Sequence, residues 1–453
     1  MVTREYDGVA GAGGVKDVCR QLSEALVRHA GCDVRVVLPC YGFIDPPVLG
    51  FERLQVPCRE DSEKRTTVFD VDMNYPDKER RESVSLWMKK EQGVLIYLLD
   101  SRRFAEKQSV YTYTSAEEEE KSWQKAGTGH FDFFAMNVLL QKAALDLMIL
   151  LDLRPDIIHC HDGHAAILPA MLWEHSGYRH FFCQTGTVVT VHNAGLGYHQ
   201  DVEDLDFAQA ITGLPGSVIR SGLFNGAFNP FVAAAGYARI NTVSENYARE
   251  LQETDEDSRT GWLGHKLLNK GVELVGITNG VNPEDFNPAQ GKEKGLAGDF
   301  NPENGELDGK RCCKEEILRL CRENGDWAAV AQYGSLGDRP DSPLFTFIGR
   351  LTAQKGVDIL LQAVFLLITT DFQLLVLGSG ESGLERKLQE LAEDDAFRGQ
   401  ICFLKGYDPD LALKIYAAGD FFLIPSLYEP CGLTDYIAQL YGNLPIVHQV
   451  GGL

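Results

Sequence analysis

The sequence predicts an α/β protein of two doubly wound domains, each a parallel sheet with helices on both faces. Three observations lead there. A chain of 453 residues exceeds what one hydrophobic core organises. Short β-branched runs alternate along it with glycine-bearing turns and helical segments. That alternation is interrupted once, by a stretch rich in Gly, Pro, Asn and charge.

The first series opens with a glycine-rich turn, GVAGAGGVKD (residues 8–17), only a few residues from Met1, where such a domain ordinarily has a full strand. Strands are expected at residues 34–41, 93–100, 155–162, 188–193, 239–244 and 272–280. A second series follows at 344–350, 372–380, 400–407, 420–426 and 444–450. The chain then stops at GGL, where another helix is expected, so both ends read as incomplete. Residues 287–310 lack apolar periodicity, which gives a first domain over 1–286, a linker or insertion over 287–340 and a second domain over 341–453. The acidic run at 115–121 reads as a solvated helix start with its acids at the positive helix end. The apolar run at 138–153 is interrupted by Lys142, Asp146 and Asp152, so it reads as an amphipathic or buried helix and not a membrane span.

Composition narrows the function. A hydrophobic fraction of 44% and a charged fraction of 24% belong to an ordinary globular chain. The net charge of −22 repels nucleic acid and anionic membranes, so neither is expected as a partner. The eleven cysteines form no CxxC pair and no metal-ligand spacing with histidine, which points to reduced thiols and a cytoplasmic location.

In open α/β sheets ligands gather beyond the carboxyl ends of strands, so residues there rank first. HCHDGHAA places His159, His161, Asp162 and His164 at one such end, with a spacing that fits no strong metal motif. His192 stands at the next. In GRLTAQKG, Arg350 and Lys355 lie five residues apart across a strand end and turn, where a guanidinium fork and a mobile ammonium can reach one diphosphate. In EPCGLTDY a helix opens after Pro430; its free N–H groups can hold phosphate, leaving Glu429 to accept sugar hydroxyls. A carboxylate beside a phosphate-binding helix start suits a sugar nucleotide. A nicotinamide dehydrogenase fits poorly, because no acidic residue about twenty positions beyond the first turn closes a ribose site.

Several blocks carry a resemblance over nearly the whole chain: REYDGVAGAGGVKDV, HCHDGHAA, TVHN, NTVSENYARE, GITNGVNPEDFNP, FIGRLTAQKG, VLGSGE and IPSLYEPCGLTDYIAQLYGNLPIVHQVGGL. The chain resembles the bacterial glycogen synthases and plant starch synthases, retaining glycosyltransferases with two Rossmann-like domains (GT-B). The resemblance implies an active site in the interdomain cleft, closing on the donor, and transfer of glucose from ADP-glucose, or less often UDP-glucose, to the non-reducing end of an α-1,4-glucan. It implies no metal and no cofactor. By position, Arg350 and Lys355 would neutralise the diphosphate, Glu429 would hold the glucose hydroxyls, and Asp162 and His192 would attend the donor sugar. Tyr407 matches the aromatic that packs on the base, and Asn279 would face the cleft. Gly13, Gly14 and Lys16 of the first loop, with Cys431, Gly432, Leu433 and Thr434 at the helix start, complete the expected substrate contacts. Two departures stand out. Gly11 occupies the place where the family's loop has a phosphate-binding lysine, and AGLGYHQ after VHN differs from the usual tyrosine, glutamine and glycine. Two alternatives follow: a truncated or non-catalytic homologue that binds glucan or nucleotide, and a related retaining transferase of the sucrose-making type.

Overall fold

The computed structural model describes residues 1–57, 64–325, 327, 329–366 and 370–453. It divides into two compact units, Met1–Gly280 and Val281–Leu453.

The strands that form the main sheet of the first unit are β1 (Arg35–Pro39), β2 (Glu52–Leu54), β3 (Val68–Asp72), β4 (Arg81–Glu91), β5 (Val94–Asp100), β6 (Ile157–His161), β7 (Gly186–Val191), β8 (Arg239–Thr242) and β9 (Val275–Gly276). The backbone of Val2 bridges in parallel to Val37 of β1 and to Cys160 of β6 and so joins the two halves of the sheet. On one side β6, β7, β8 and β9 pair in parallel, in that order. On the other, β1 pairs in parallel with β5, and β4 then runs antiparallel to β5, β2 and β3. This antiparallel extension departs from the all-parallel expectation. Its short connections and alternating burial are those of a hairpin sheet with one wet face, seen in the pattern of β3.

Helix α1 (Val15–Ala30) follows the glycine-rich turn and is closed by Gly31. Helix α2 (Phe133–Leu150) is apolar around nearly its whole circumference and buried over most of its length. The polar residues that interrupt it fasten it to its neighbours. Lys142 Nζ donates to the Asp72 carbonyl at 2.8 Å, and Asp146 accepts from the Tyr178 hydroxyl at 3.0 Å. Among the described residues it is the one helix long and apolar enough to cross a membrane, and it serves as a core helix.

Two further expectations need correction. Of residues 272–280 only β9 forms, because an edge strand has one neighbour to pair with and Val275 and Ile277 lie exposed. The acidic run does start a helix, Ser115–Glu120, but Glu117 is buried: its carboxylate and the Thr114 hydroxyl cap each other's backbone N–H.

The second unit holds α3 (Asp308–Glu323), β10 (Val330–Gly334), β11 (Leu344–Ile348), α4 (Val357–Leu366), β12 (Gln373–Gly378), β13 (Ile401–Gly406), α5 (Pro409–Ala418), β14 (Phe421–Ile424), α6 (Leu433–Leu440) and β15 (Leu444–Val447). The sheet order is β10-β13-β12-β11-β14-β15, parallel except for β10, which runs antiparallel to β13. Residues 287–340, expected as a linker or insertion, supply α3 and β10 to this unit. Leu296 and Phe300 also enter its core beside Tyr416, Phe422 and Tyr441. Isolated anchors in a polar stretch have no period, so the pattern could not show them.

Candidate active site

Each unit gathers its expected residues at the carboxyl ends of parallel strands. In the second unit, β11 leads to Arg350, which is exposed, and on to a 3₁₀ turn, Ala353–Lys355, capped by the Thr352 hydroxyl. Gly356 follows with φ of 69°, and a Cβ there would stand 2.0 Å from the Pro425 carbonyl oxygen. Only glycine lets this turn dock against the loop that leaves β14. Two bonds then zip the loops together: Leu427 N–H to the Gln354 carbonyl at 2.8 Å, and Gln354 Nε2 to the Tyr428 carbonyl at 3.2 Å. The result sets Lys355 Nζ 2.5 Å from Glu429 Oε2, and the Ser426 hydroxyl donates to the same oxygen at 3.0 Å. Glu429 is half-buried, so this ion pair is partly sheltered from water.

The loop behind Glu429 is closed from the other side. Gly452 N–H donates to the Glu429 carbonyl at 3.1 Å, and a Cβ on Gly451 would meet that oxygen at 1.8 Å. Cys431 and Gly432 are buried, while Leu433 and Thr434 open α6 half-buried. The same first turn carries Asp435, buried, with its carboxyl pushed up to about 6 by burial. The helix start expected to receive phosphate thus holds an acid of its own. Tyr407, just past β13, is 63% exposed.

In the first unit Asp162 ends β6 with φ of 60°, a conformation that an aspartate tolerates better than most residues. Its N–H donates to the Thr190 carbonyl at 2.9 Å, and its Oδ1 accepts from His192 N–H at 2.7 Å and Asn193 N–H at 3.4 Å. The carboxylate therefore clamps the ends of β6 and β7 and fixes the His192 backbone. The histidines are spent on one another and on the sheet. His161 Nδ1 lies 2.9 Å from His192 Nε2. His159 Nε2 donates to Thr190 Oγ1 at 2.7 Å, because that hydroxyl itself donates to Asn241 at 2.8 Å. Burial lowers His192 to about 3 and His159 to about 4, and holds His161 and His164 well below the ordinary range, so all four are neutral at pH 7. Among the described residues no group of His, Cys, Asp and Glu is arranged to hold a metal ion.

Burial pushes the Asp162 carboxyl up to about 7 from an ordinary 3.8, against the pull of its two N–H bonds. Between those values the native state binds more protons than the unfolded one, so the Asp162 contribution favours folding below about pH 4 and is lost as pH rises through about 7. Asp162→Asn keeps an oxygen for both N–H bonds. It is expected to gain up to about 4 kcal/mol over the parent near pH 8 and little near pH 4. Thermal unfolding of both proteins at the two values checks this; an equal difference at both would refute it.

Glu5 and Tyr111 join the first unit's site unforeseen. Glu5, buried, accepts from Ala12 N–H at 2.6 Å and Gly13 N–H at 2.9 Å through one carboxylate oxygen, and from the Tyr111 hydroxyl through the other. The Gly13 amide is thereby occupied. Lys16 Nζ sits between Asp7 and Asp17, 2.8 Å from each, and its stem crosses the space above Gly11, where a Cβ would lie 2.2 Å from Lys16 Cδ. Asn279 is half-buried in the turn after β9. Local periodicity could not reveal Glu5, since its partners are loop amides and a tyrosine 106 residues away.

Two α/β units with basic and acidic side chains at their strand ends have the layout of a two-Rossmann-domain (GT-B) glycosyltransferase. Comparison with known proteins agrees: residues 1–268 match the starch synthase catalytic domain and residues 342–453 match the glycosyl transferases group 1 domain. Glycogen synthase 1 of Geobacter sulfurreducens is 30% identical, the match spanning 100% of this chain and 81% of the relative. The glycogen synthase of Geotalea daltonii is 32% identical over 100% of this chain and 83% of its own length. The catalytic domain of starch synthase IV from Arabidopsis thaliana, solved with ADP and acarbose, superposes with a TM-score of 0.77 at 25% identity, over 99% of this chain and 82% of that one. Sucrose-phosphate synthase from Thermosynechococcus elongatus shares the fold, with a TM-score of 0.51 at 17% identity over 99% of this chain and 79% of that one. The chain belongs to the starch synthase catalytic domain family, that of the glycogen and starch synthases, and is a glucosyl-transferring enzyme.

Proposed function

We propose that the protein transfers glucose from ADP-glucose, or from UDP-glucose in its place, to the non-reducing end of an α-1,4-glucan with retention of configuration. The observation that carries this reading is the Lys355–Glu429 contact, which sets an ammonium for the leaving diphosphate against a carboxylate for the sugar hydroxyls. In this reading Arg350 and Lys355 take the charge that develops as the glycosidic phosphate bond breaks. Glu429 orients the glucose, and the main chain of Cys431, Gly432, Leu433 and Thr434 borders it. The first unit acts on the acceptor side, with Asp162 holding the His192 backbone so that its carbonyl faces the reacting carbon, and Asn279 and Gly14 nearby. Tyr407 packs on the base. Same-face attack assisted by the departing phosphate requires no pair of carboxylates of the glycosidase kind. The ADP and acarbose in the starch synthase IV structure support a nucleoside diphosphate and an oligosaccharide as the two ligands. Incubation with labelled ADP-glucose or labelled UDP-glucose and glycogen tests the reading. Label is expected in the polymer, mainly from one donor; none from either would overturn it.

The first loop gives a sharper test. Lys16 is neutralised by two carboxylates and its stem blocks position 11, so Gly11→Lys alone is expected to add little activity. Gly11→Lys combined with Lys16→Ala opens the space, and the new ammonium is expected to raise turnover about tenfold by favouring the diphosphate in the transition state. Steady-state kinetics of the two variants check this; equal turnover in both would refute it.

A further inference from the structure

We infer that the segment between β5 and α2 carries a glucan-binding platform formed by the side chains of Trp123 and Phe131. This rests on the proposed function and extends it from the reacting end of the acceptor to the polymer behind it. Trp123 is 59% exposed and Phe131 83%, and the two rings meet edge to face with centroids 6.3 Å apart. Large rings held out in water mark a binding surface when the fold supports them.

Here the fold does support them. Tyr113, buried, stands edge-on to Trp123 at 5.8 Å, and its hydroxyl accepts the Phe131 N–H at 3.0 Å. Its main chain accepts from Gly127 N–H and donates to the Thr128 carbonyl, each at 2.9 Å. Glu118 accepts from Lys125 Nζ at 2.7 Å and from Ala126 N–H at 2.9 Å. The His130 ring backs Tyr113 at 5.0 Å and is kept neutral by burial. The turn is thus bonded on both sides, and little ordering remains to be done when a ligand arrives.

The chemistry of the rings and their place select the occupant. A glucan chain is uncharged, presents flat C–H faces to aromatic rings, and is not repelled by a protein of net charge −22, as an anionic polymer would be. Two residues before Tyr113, Tyr111 donates to Glu5, which holds the glycine-rich loop, and stacks on His164 at 5.1 Å, two residues beyond Asp162. One braced segment therefore runs from the sugar-side residues to the exposed rings within a single unit. An acceptor chain leading away from those residues is the ligand that this continuity fits.

The test uses the full chain with Trp123→Ala/Phe131→Ala and with Trp123→Tyr/Phe131→Tyr. Retardation in native gels containing glycogen, read without donor, is expected to weaken about fivefold in the alanine variant and to return in the tyrosine variant. With donor present, the ratio of kcat/KM for glycogen to that for maltotriose is expected to fall by a similar factor in the alanine variant. Unchanged retardation and an unchanged ratio would overturn the platform. So would a tyrosine variant of parental thermal stability that fails to restore binding. Failure of the parent to use either donor would overturn the proposed function alone, because retardation is read independently.

Discussion

Glu429→Ala is expected to lower kcat about a thousandfold while leaving the thermal midpoint within a few degrees of the parent. The carboxylate sits at the end of a loop whose shape is set by other bonds: Gly452 N–H on its carbonyl, Leu427 N–H on Gln354 and the docking of Gly356 on Pro425. Removing the side chain spares all of these. What it removes is the partner that fixes Lys355 and, in the proposed reading, the acceptor for sugar hydroxyls. The two losses are one event, so Lys355→Met should cost nearly as much alone, and the double variant little more than either single. Steady-state kinetics on the three proteins, with melting curves alongside, decide the matter. Activity of Glu429→Ala within about threefold of the parent would remove Glu429 from the site. Strict additivity would leave it there but break its link to Lys355.

Lys310→Met is expected to lower stability by about 3 kcal/mol, seen as a drop of roughly 5 to 10 °C in the thermal midpoint. Lys310 Nζ has three hydrogens and meets three carbonyls: Ala417 at 3.1 Å, Gly419 at 2.7 Å and Tyr441 at 3.0 Å. Ala417 lies in the last turn of α5, Gly419 caps that helix, and Tyr441 caps α6, so these are carbonyls that helix ends leave without partners. Methionine matches the length of the stem but donates nothing, and each deserted carbonyl then costs about 1 kcal/mol. Lys310→Arg should recover part of the loss. Circular dichroism melts of the three proteins check the order, and a methionine variant as stable as the parent would show that water satisfies these groups equally well.

The strands at Leu344–Ile348, Gln373–Gly378 and Ile401–Gly406 were legible in the sequence, because a run of β-branched and aromatic residues ending in glycine is a local signal. The same holds for Asp162, His192, Arg350 and Lys355, since a residue's place at a strand end follows from the strand itself. The antiparallel β4 was not read, and neither was the role of α3 within the second unit, because pairing partners and solitary core anchors leave no periodic trace.

By itself the sequence determined the two α/β series, the residue types at the strand ends and, through its motif blocks, the family. Only the tertiary structure decided that Lys355 meets Glu429 across 74 residues, that Glu5 occupies the amides of the first loop, and that Lys310 closes two helices from a stretch that reads as a linker. The reason is physical. Periodicity records which face of an element is buried. Hydrogen-bond partners depend on which backbones approach, and here that approach is permitted by single glycines such as Gly356 against the Pro425 carbonyl, a constraint that no local pattern encodes.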